Sequence, residues 1–152
     1  MAYLKELKIT YRKKRVKDDL LNQPAKNSEQ IYELFKWMAY ETREIGICVH
    51  LSPQLKILSY EMVGMGDATG MTLDIPGIFR GAMLGLAHSI VLIHNHPHGS
   101  KKPSKEDLIT LDRLKFMGEV HNIKLVDFMV IGEGGYFSLE EDGSKIILNS
   151  KS

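Results

Sequence analysis

The segment HNHPHGSKKPSKED, residues 94–107, groups the side chains of this chain that are best suited to bind a metal ion. His94 and His96 lie two positions apart at the end of an apolar run. Residues two apart in a strand project to the same face, so the two imidazoles converge while Asn95 points the other way. Asp107 follows at the start of the next predicted helix. Two neutral imidazoles and one carboxylate, with an open fourth position, are typical of catalytic rather than structural zinc.

The same segment also has a purely structural interpretation. Pro103, Ser104 and Asp107 are typical of a helix start, with Ser104 at the N-cap and Asp107 at N3. The two interpretations are compatible in part, because the positive end of the helix dipole favours the ionised carboxylate that a metal ligand requires. For the two histidines we favour metal binding over a simple hydrogen-bonded pair. His98 follows the strand-ending Pro97, and we expect it at the rim of the site rather than among the ligands.

The elements that must position these side chains alternate between helices and strands. Apolar residues at helical spacing predict helices over residues 28–42, 77–88 and 108–120. Alternating or continuous apolar runs predict strands over residues 45–51, 55–63, 89–96, 124–132 and 136–141, and also within 4–11. The Gly-rich stretch 64–76 is predicted to be a loop. The class is therefore α/β or α+β, a single domain with one mixed central β-sheet flanked by helices.

Composition and charge predict an ordinary globular domain. The chain has 152 residues, of which 43% are hydrophobic and 26% charged, and its formal net charge is +1. That charge gives no general attraction to nucleic acid or to an anionic membrane. The basic run RKKRVK at 12–17 has no interleaved aromatic residues, so we interpret it as a solvated arm and give nucleic-acid binding little weight. No apolar run approaches the roughly 20 residues of a membrane span.

The numbers and positions of the cysteine and histidine residues limit the kinds of metal site and disulfide that the chain can form. Cys48 is the only cysteine, which excludes an intrachain disulfide and any zinc site built from several cysteines. The N-terminal residues lack the continuous apolar stretch of a secretory signal, so we expect a cytoplasmic protein. The other histidines are scattered and are expected at ordinary polar or core positions; they are His50, His88 and His121.

The spacing His94-x-His96-Pro-x5-Pro-Ser104-x2-Asp107 matches the JAMM motif of the JAB1/MPN metalloprotease superfamily. Within that superfamily the chain resembles the RadC family through IVLIHNHPHG, PSKED, KLVDFMVIG and YFSLEEDG, over roughly residues 28–143. The resemblance implies a JAB1/MPN-like (cytidine-deaminase-like) architecture and one zinc ion bound by His94, His96 and Asp107. It also implies a division into an N-terminal strand or arm (1–27), a RadC-like metallohydrolase domain (28–147) and a C-terminal tail (148–152).

The resemblance further implies two catalytic residues and a reaction. The family has a glutamate near its first core strand that carries protons without binding the zinc. We favour Glu44, which immediately precedes the strand IGICVHL, over Glu41 as the alternative. An exposed carboxylate at the end of a helix is the structural interpretation of Glu44. Ser104 resembles the family's hydroxyl donor to the developing oxyanion. The implied enzyme is a JAMM-type zinc metalloprotease that hydrolyses a peptide or isopeptide bond, using water whose pKa zinc lowers from about 9 to about 7.

Two positions depart from the RadC pattern. His98 stands before the glycine where related chains commonly have serine, outside the implied ligand set. Phe128 follows Asp127 where the family has a histidine, so any contribution of that histidine to the site is missing. Longer RadC proteins also carry an N-terminal helix-hairpin-helix module. The first 27 residues are too few for one, so DNA binding by that route is not expected.

Alternative functions belong to different classes. A non-catalytic interaction module would keep the fold without the metal, and a RadC-like protein in DNA repair or DNA processing would bind phosphates. A nuclease with an HNH motif spreads its histidines over a longer element. A zinc nucleobase deaminase needs His-x-Glu with Pro-Cys-x-x-Cys, which Cys48 alone does not supply. We expect a protein or peptide substrate and no membrane, with the substrate's identity and the oligomeric state left open.

Overall fold

A computed structural model of the chain describes residues 1–21, 24–25, 27–67 and 70–143. Its α-helices are α1 (Asp18–Leu21), α2 (Ser28–Phe35), α3 (Ile75–Leu84) and α4 (Lys105–His121), and a 3-10 helix covers Lys36–Tyr40. Its strands are β1 (Ile45–Leu51), β2 (Ile57–Met65), β3 (Ser89–Asn95), β4 (Lys124–Gly132) and β5 (Gly135–Ser138). The C-terminal tail predicted at 148–152 lies outside the described residues. None of the described helices has the length and apolar character needed to cross a membrane.

The strands form one mixed sheet in the order β2-β1-β3-β4-β5. β1 pairs in antiparallel register with both β2 and β3, while β3 and β4 are parallel and β5 returns antiparallel to β4. The start of β1 therefore lies beside the end of β3, where Gly46 pairs with His94. The predicted class, one mixed sheet flanked by helices, is confirmed.

Helices cover both faces of this sheet. On one face, Ile90 and Leu92 of β3 pack in a core that includes residues of α3 and α4. On the other face, Val91 and Ile93 pack in a core with residues of α2 and the 3-10 helix. All seven residues of β3 are buried, as expected for a central strand, and this explains why its sequence is a nearly continuous apolar run.

A buried polar cluster joins α2 to the sheet on this second face. The side chain of Asp127 on β4 accepts hydrogen bonds from the hydroxyl groups of Ser28 and Ser138, each at 2.7 Å. The other carboxylate oxygen accepts a hydrogen bond from the backbone N–H of Glu140 at 3.1 Å. Because Asp127, Ser28 and Ser138 are all buried, each polar group depends on the others for its hydrogen bonds.

The structure corrects the predictions for the N-terminal region. Residues 1–17 form neither helix nor strand, so the strand predicted within 4–11 is wrong. Leu4 and Leu7 are almost fully exposed, and no strand in the described part of the chain pairs with this segment. The helix predicted over 28–42 ends earlier as an α-helix, at Phe35, and continues as a 3-10 helix to Tyr40. This tighter segment carries the fully buried Met38 into the core.

Other boundaries move because capping groups decide where helices begin. α3 starts at Ile75 rather than 77, since the side chain of Asp74 accepts a hydrogen bond from the N–H of Gly77. α4 starts at Lys105, directly after its N-cap Ser104, as the capping signature predicted and three residues before the start given by apolar spacing. β2 extends to Met65, into the stretch predicted to be a loop. β5 ends at Ser138, and residues 139–143 are helical instead of continuing the predicted strand.

Candidate metal centre

Three polar side chains converge where the end of β3 meets the start of α4. The Nε2 atoms of His94 and His96 lie 3.1 Å apart. The carboxylate of Asp107 is 3.0 Å from His94 Nε2 through Oδ1 and 3.2 Å from His96 Nε2 through Oδ2. Donors bound tetrahedrally to zinc at 2.0–2.1 Å are about 3.3 Å from one another. The three side chains therefore already lie close to the spacing that one such ion imposes, and the donor set fits a metal.

Two different elements bring these donors together. β3 carries His94, and His96 follows directly after the last residue of this strand, Asn95. The side chains of both histidines are almost fully buried. α4 supplies Asp107 as its third residue, within a capping box. Ser104 N–H donates to Asp107 Oδ2 at 2.7 Å, and Asp107 N–H donates to Ser104 Oγ at 3.0 Å. The structure thus supports the capping interpretation of Asp107 and at the same time aims its carboxylate at the histidines.

Hydrogen bonding fixes the orientation of one imidazole more firmly than the other. His96 Nδ1 lies 3.1 Å from the carbonyl oxygen of Ser100, so a proton on Nδ1 leaves the Nε2 lone pair directed at the cluster. His94 Nδ1 is buried and has no hydrogen-bond partner among the described residues. The ring of His94 instead packs against Phe128 at a centroid distance of 5.2 Å. Packing against Phe128 and the contact of Nε2 with Asp107 orient this second ring.

The charges in the cluster are strongly coupled. Burial by itself raises the pKa of Asp107, but hydrogen bonds from His94 and His96 outweigh burial and hold that pKa far below its usual range. The hydrogen bond to Asp107 raises the pKa of His96, against the opposing effect of burial. The carboxylate of Asp107 is therefore ionised across the physiological pH range.

Glu44 lies beside these three residues, in the segment that leads into β1. Its Oε1 is 4.0 Å from His94 Nε2, and its side chain is only 22% exposed. Glu44, His94, His96 and Asp107 form a candidate metal-binding cluster whose ligand atoms all lie within 4.8 Å of one another. Glu41 is outside this cluster, at the end of the 3-10 helix. The geometry favours Glu44 over Glu41 for a proton-carrying role, although that role stays a prediction.

An open cleft of about 660 Å³ gives access to the cluster. Its wall includes Glu44, Asp107 and Ser104, together with Arg43, Glu106 and residues of the 65–72 segment. Sequence reasoning missed Arg43, whose only signal was its position next to the favoured glutamate. The cleft combines one cationic side chain with several carboxylates.

A pair of glycines shapes the cleft where β1 meets β2. Gly46 and Gly64 pair across the strands. A Cβ atom at Gly46 would lie 2.7 Å from Leu73 Cδ2, and one at Gly64 would lie 2.8 Å from Met71 Sδ. The missing side chains therefore leave room for Met71 and Leu73 to lie against the sheet. This docks the described part of the Gly-rich stretch next to the metal cluster.

The remaining histidines lie where the sequence predicted them. His98 is outside the ligand cluster and stacks on His96 at a ring-centroid distance of 5.3 Å, as expected of a residue at the rim. His50 is buried and shares a hydrogen bond with Ser59 at 2.8 Å. His121 packs against Phe79 at the end of α4. None of these joins the cluster within the described part of the chain.

Comparison with known proteins agrees with this arrangement. The family model described as a RadC-like JAB domain matches residues 25–144. The chain belongs to the RadC-like JAB domain family. The resemblance seen in the sequence is thereby confirmed, and the sheet and its flanking helices are those of a JAB domain. The four-residue cluster is the candidate metal site of this RadC-like domain.

Several relatives of the RadC-like domain carry only the name UPF0758 protein. The relative from Thermotoga maritima is 33% identical over 132 residues, which is 86% of this chain and 60% of the relative. The relative from Aquifex aeolicus is 33% identical, and the match covers 78% of this chain and 51% of the relative. The relative from Pelodictyon phaeoclathratiforme is 34% identical, and the match covers 73% of this chain and 52% of the relative. The chain thus spans about half to 60% of the length of these relatives.

Proposed function

We propose that this RadC-like domain is a zinc-dependent hydrolase that cleaves a peptide or isopeptide bond in a protein or peptide substrate. The observation that carries the proposal is the convergence of His94, His96 and Asp107 at 3.0–3.2 Å, with Glu44 4.0 Å from His94 and an open cleft beside them. Two imidazoles, one carboxylate and near-tetrahedral spacing favour zinc over magnesium or calcium, which prefer oxygen ligands. His94, His96 and Asp107 would hold the ion.

Zinc bound there supplies Lewis acidity, which lowers the pKa of a water molecule towards about 7 and polarises the carbonyl group of the substrate. Glu44 accepts the proton of the attacking water, because its carboxylate is partly exposed at the cleft and close to the ligands. The water oxygen forms a bond to the carbonyl carbon, and the C–N bond then breaks. Glu44 passes its proton to the departing nitrogen, so that an amine and a carboxylic acid leave, the acid gives its proton to solvent, and no covalent enzyme intermediate forms.

Ser104 has the second chemical role in this proposal. Its Oγ already accepts a hydrogen bond from Asp107 N–H, which leaves the hydroxyl proton available to a group in the cleft. Donation of that proton to the developing oxyanion stabilises the transition state by a hydrogen bond. The residue that caps α4 therefore also faces the reacting carbonyl group.

The test of this function combines metal analysis with hydrolysis. The protein is stripped with a chelator, reloaded with one equivalent of zinc, and assayed against a quenched peptide library and a set of lysine-isopeptide conjugates. We expect hydrolysis only after zinc is restored. In Glu44→Gln we expect zinc content to be unchanged and turnover to fall by roughly 10²- to 10⁴-fold, the usual contribution of a general base.

Glu41→Gln is the matched control, because it makes the same change three residues earlier and outside the cluster. Its turnover should equal that of the unmodified protein. Protein that retains no zinc after careful preparation would instead support a non-catalytic interaction module. Zinc that binds while both variants hydrolyse equally well would remove Glu44 from the mechanism.

The single Cys48, which is buried and reduced, fits our proposal that the domain works in the cytoplasm.

A further inference from the structure

Asn95 lies between the two candidate histidine ligands but faces the other side of the sheet, where it is completely buried. Its Oδ1 accepts a hydrogen bond from the N–H of Ile45 at 2.7 Å. Its Nδ2 donates a hydrogen bond to the carbonyl oxygen of Arg43 at 3.0 Å. Arg43 and Ile45 are the two chain neighbours of Glu44. One side chain on β3 therefore holds the backbone on both sides of the proposed proton carrier.

The carboxamide of Asn95 takes over where backbone pairing stops. Gly46 and His94 are the last pair at this end of the antiparallel ladder between β1 and β3, and β3 itself ends at Asn95. A carboxamide offers the same kind of donor and acceptor as a peptide unit. The carboxamide of Asn95 makes one hydrogen bond to Ile45 and one to Arg43. These two bonds continue the pairing of β1 with β3 into the segment that precedes β1.

This extension matters because the segment before β1 has no regular structure of its own. Residues 41–44 are neither helix nor strand. The carbonyl oxygen of Glu44 accepts a hydrogen bond from Gly66 N–H at 2.6 Å, which holds the segment from the side of β2. Asn95 holds it from the side of β3. With both sides held, the position from which the Glu44 side chain leaves the backbone is fixed, and its Oε1 lies 4.0 Å from His94 Nε2.

We propose that Asn95 is a positioning residue that aims Glu44 at the metal cluster. Its effect on turnover rests on the proposed hydrolytic function, whereas its effect on the backbone around Glu44 does not. Asn95 faces away from the cleft and touches no reacting atom. Its side chain thus acts on catalysis only through the residue that it holds.

The decisive experiment is a double-mutant cycle in the zinc-loaded protein. In Asn95→Ala we expect kcat to fall by about 10- to 100-fold with zinc content and KM unchanged, since a displacement of about 1 Å in a catalytic group costs up to about 10²-fold. In the double variant Glu44→Gln/Asn95→Ala we expect no loss beyond that of Glu44→Gln alone. A residue that acts through Glu44 has nothing left to position once that carboxylate is gone.

Two further measurements read the backbone directly. Amide hydrogen exchange at Ile45 should accelerate in Asn95→Ala, while exchange in the centre of β1 stays the same. A crystal structure of that variant should show the Glu44 carboxylate moved away from His94. Ser28→Ala is the matched control, because it also removes a buried, hydrogen-bonded side chain on the same face of the sheet. It should lower the melting temperature without changing kcat or the exchange of Ile45.

Asn95→Asp keeps the proposal testable if the alanine variant does not fold. The aspartate retains an acceptor for Ile45 N–H and loses the donor to Arg43, so we expect Ile45 to stay protected and kcat to fall. Unchanged kcat and an unmoved Glu44 in a folded variant would overturn the proposal. The proposal would also be overturned if Asn95→Ala lowered kcat by the same factor in the unmodified protein and in the Glu44→Gln variant. If the unmodified protein hydrolyses no substrate, the proposed hydrolytic function is wrong. The role of Asn95 is then still decided by two measurements on its variants, the amide hydrogen exchange of Ile45 and the position of the Glu44 carboxylate.

Discussion

At the residue scale, the carboxylate of Asp107 both caps a helix and contacts the two histidines of the candidate metal site. Oδ2 accepts the N–H of Ser104 at 2.7 Å, and Oδ1 lies 3.0 Å from His94 Nε2. Held in this way, the carboxylate loses little freedom when a cation binds. The same hydrogen bonds keep it ionised, which is the form that a metal ligand needs.

This coupling predicts that stabilisation by zinc depends on pH. The pKa of His96 is raised in the folded protein, so its pairing with Asp107 stabilises the metal-free fold below the ordinary histidine pKa of about 6.5. That stabilisation is lost as pH rises through the folded-state pKa. Zinc requires the neutral imidazole, so protons compete with zinc on the acid side. We therefore expect the increase in melting temperature caused by zinc to be larger near pH 8 than near pH 6.

Thermal unfolding with excess chelator and with excess zinc measures this difference. At a zinc concentration about 100 times Kd, stabilisation is about 2.7 kcal/mol, and each kcal/mol moves the melting temperature of a protein of this size by about 2–4 °C. An increase of the same size at both pH values would show that His96 is not a ligand. His96→Gln should abolish most of the increase at either pH.

At the residue scale, the sequence predicted the directions of the side chains at positions 94–96 but not the residues to which Asn95 forms hydrogen bonds. The period-two rule predicted that His94 and His96 share a face and that Asn95 points away, and the structure agrees. No local pattern indicated that Asn95 would bond to Arg43 and Ile45, because those residues lie about 50 positions earlier in the chain. Such contacts depend on which strands are neighbours, and strand order is not a local property.

At the element scale, α4 has to start at a fixed residue for the site to form. Ser104 is its N-cap and Asp107 its third residue, so a shift of one residue in the helix start would turn the carboxylate by about 100°. The capping box prevents that shift. It also explains why a pattern based on apolar spacing alone placed the helix start three residues late.

Ser104 caps α4, and the catalytic role that we propose for it leads to a prediction with a built-in comparison. Ser104→Ala should lower the free energy of unfolding by about 1 kcal/mol through loss of the cap, and should lower kcat by about 10²- to 10³-fold through loss of the oxyanion donor. Ser104→Gly should cost only a few tenths of a kcal/mol in stability and lose as much kcat. Urea unfolding and steady-state kinetics at matched zinc content provide the two measurements.

The N-cap of α2 offers the control. Asn27 accepts a hydrogen bond from Gln30 N–H at 3.2 Å and lies outside the metal cluster. Asn27→Ala should cost a similar amount of stability and leave kcat unchanged. If both cap variants lower kcat equally, Ser104 acts only by stabilising its helix.

Buried strands could be predicted from their apolar sequence, whereas the sequence could not show whether a strand-like segment has another strand to pair with. The fully buried strand Ile45–Leu51 and the strand Lys124–Gly132 have the predicted bounds, because continuous apolar runs bounded by polar or glycine residues identify such strands. The alternating residues within 4–11 have the same local signal but no partner in the described sheet. A strand is stable only when another strand pairs with it.

At the scale of the whole molecule, the sheet order creates the site. Glu44 precedes β1, His94 and His96 lie on either side of the last residue of β3, and Asp107 lies in the first turn of α4. These segments meet because β1 and β3 are antiparallel neighbours in the order β2-β1-β3-β4-β5. The family resemblance implied that Glu44, His94, His96 and Asp107 meet at one site, and apolar spacing gave the fold class, but neither gave the strand order.

The polar cluster around Asp127 should stabilise the whole fold without contributing to the metal site. Asp127→Ala would remove the acceptor of the Ser28 and Ser138 hydroxyl groups and of the Glu140 N–H, although the two hydroxyl groups, 2.8 Å apart, can still bond to each other. Since each unsatisfied buried group costs about 1–3 kcal/mol, we expect a loss of about 2–5 kcal/mol.

Zinc affinity is the measurement that separates stability from function in this variant. Asp127 faces the α2 side of the sheet, while its neighbour Phe128 packs against His94 on the opposite side. We therefore expect the folded fraction of Asp127→Ala to bind zinc as tightly as the unmodified protein, although urea unfolds the variant at a much lower concentration. A loss of stability below about 1 kcal/mol would mean that the serines find other partners. A loss of zinc affinity in folded protein would mean that the two faces of the sheet are coupled, and that the hydrogen bonds beneath α2 also help to hold the ligands in place.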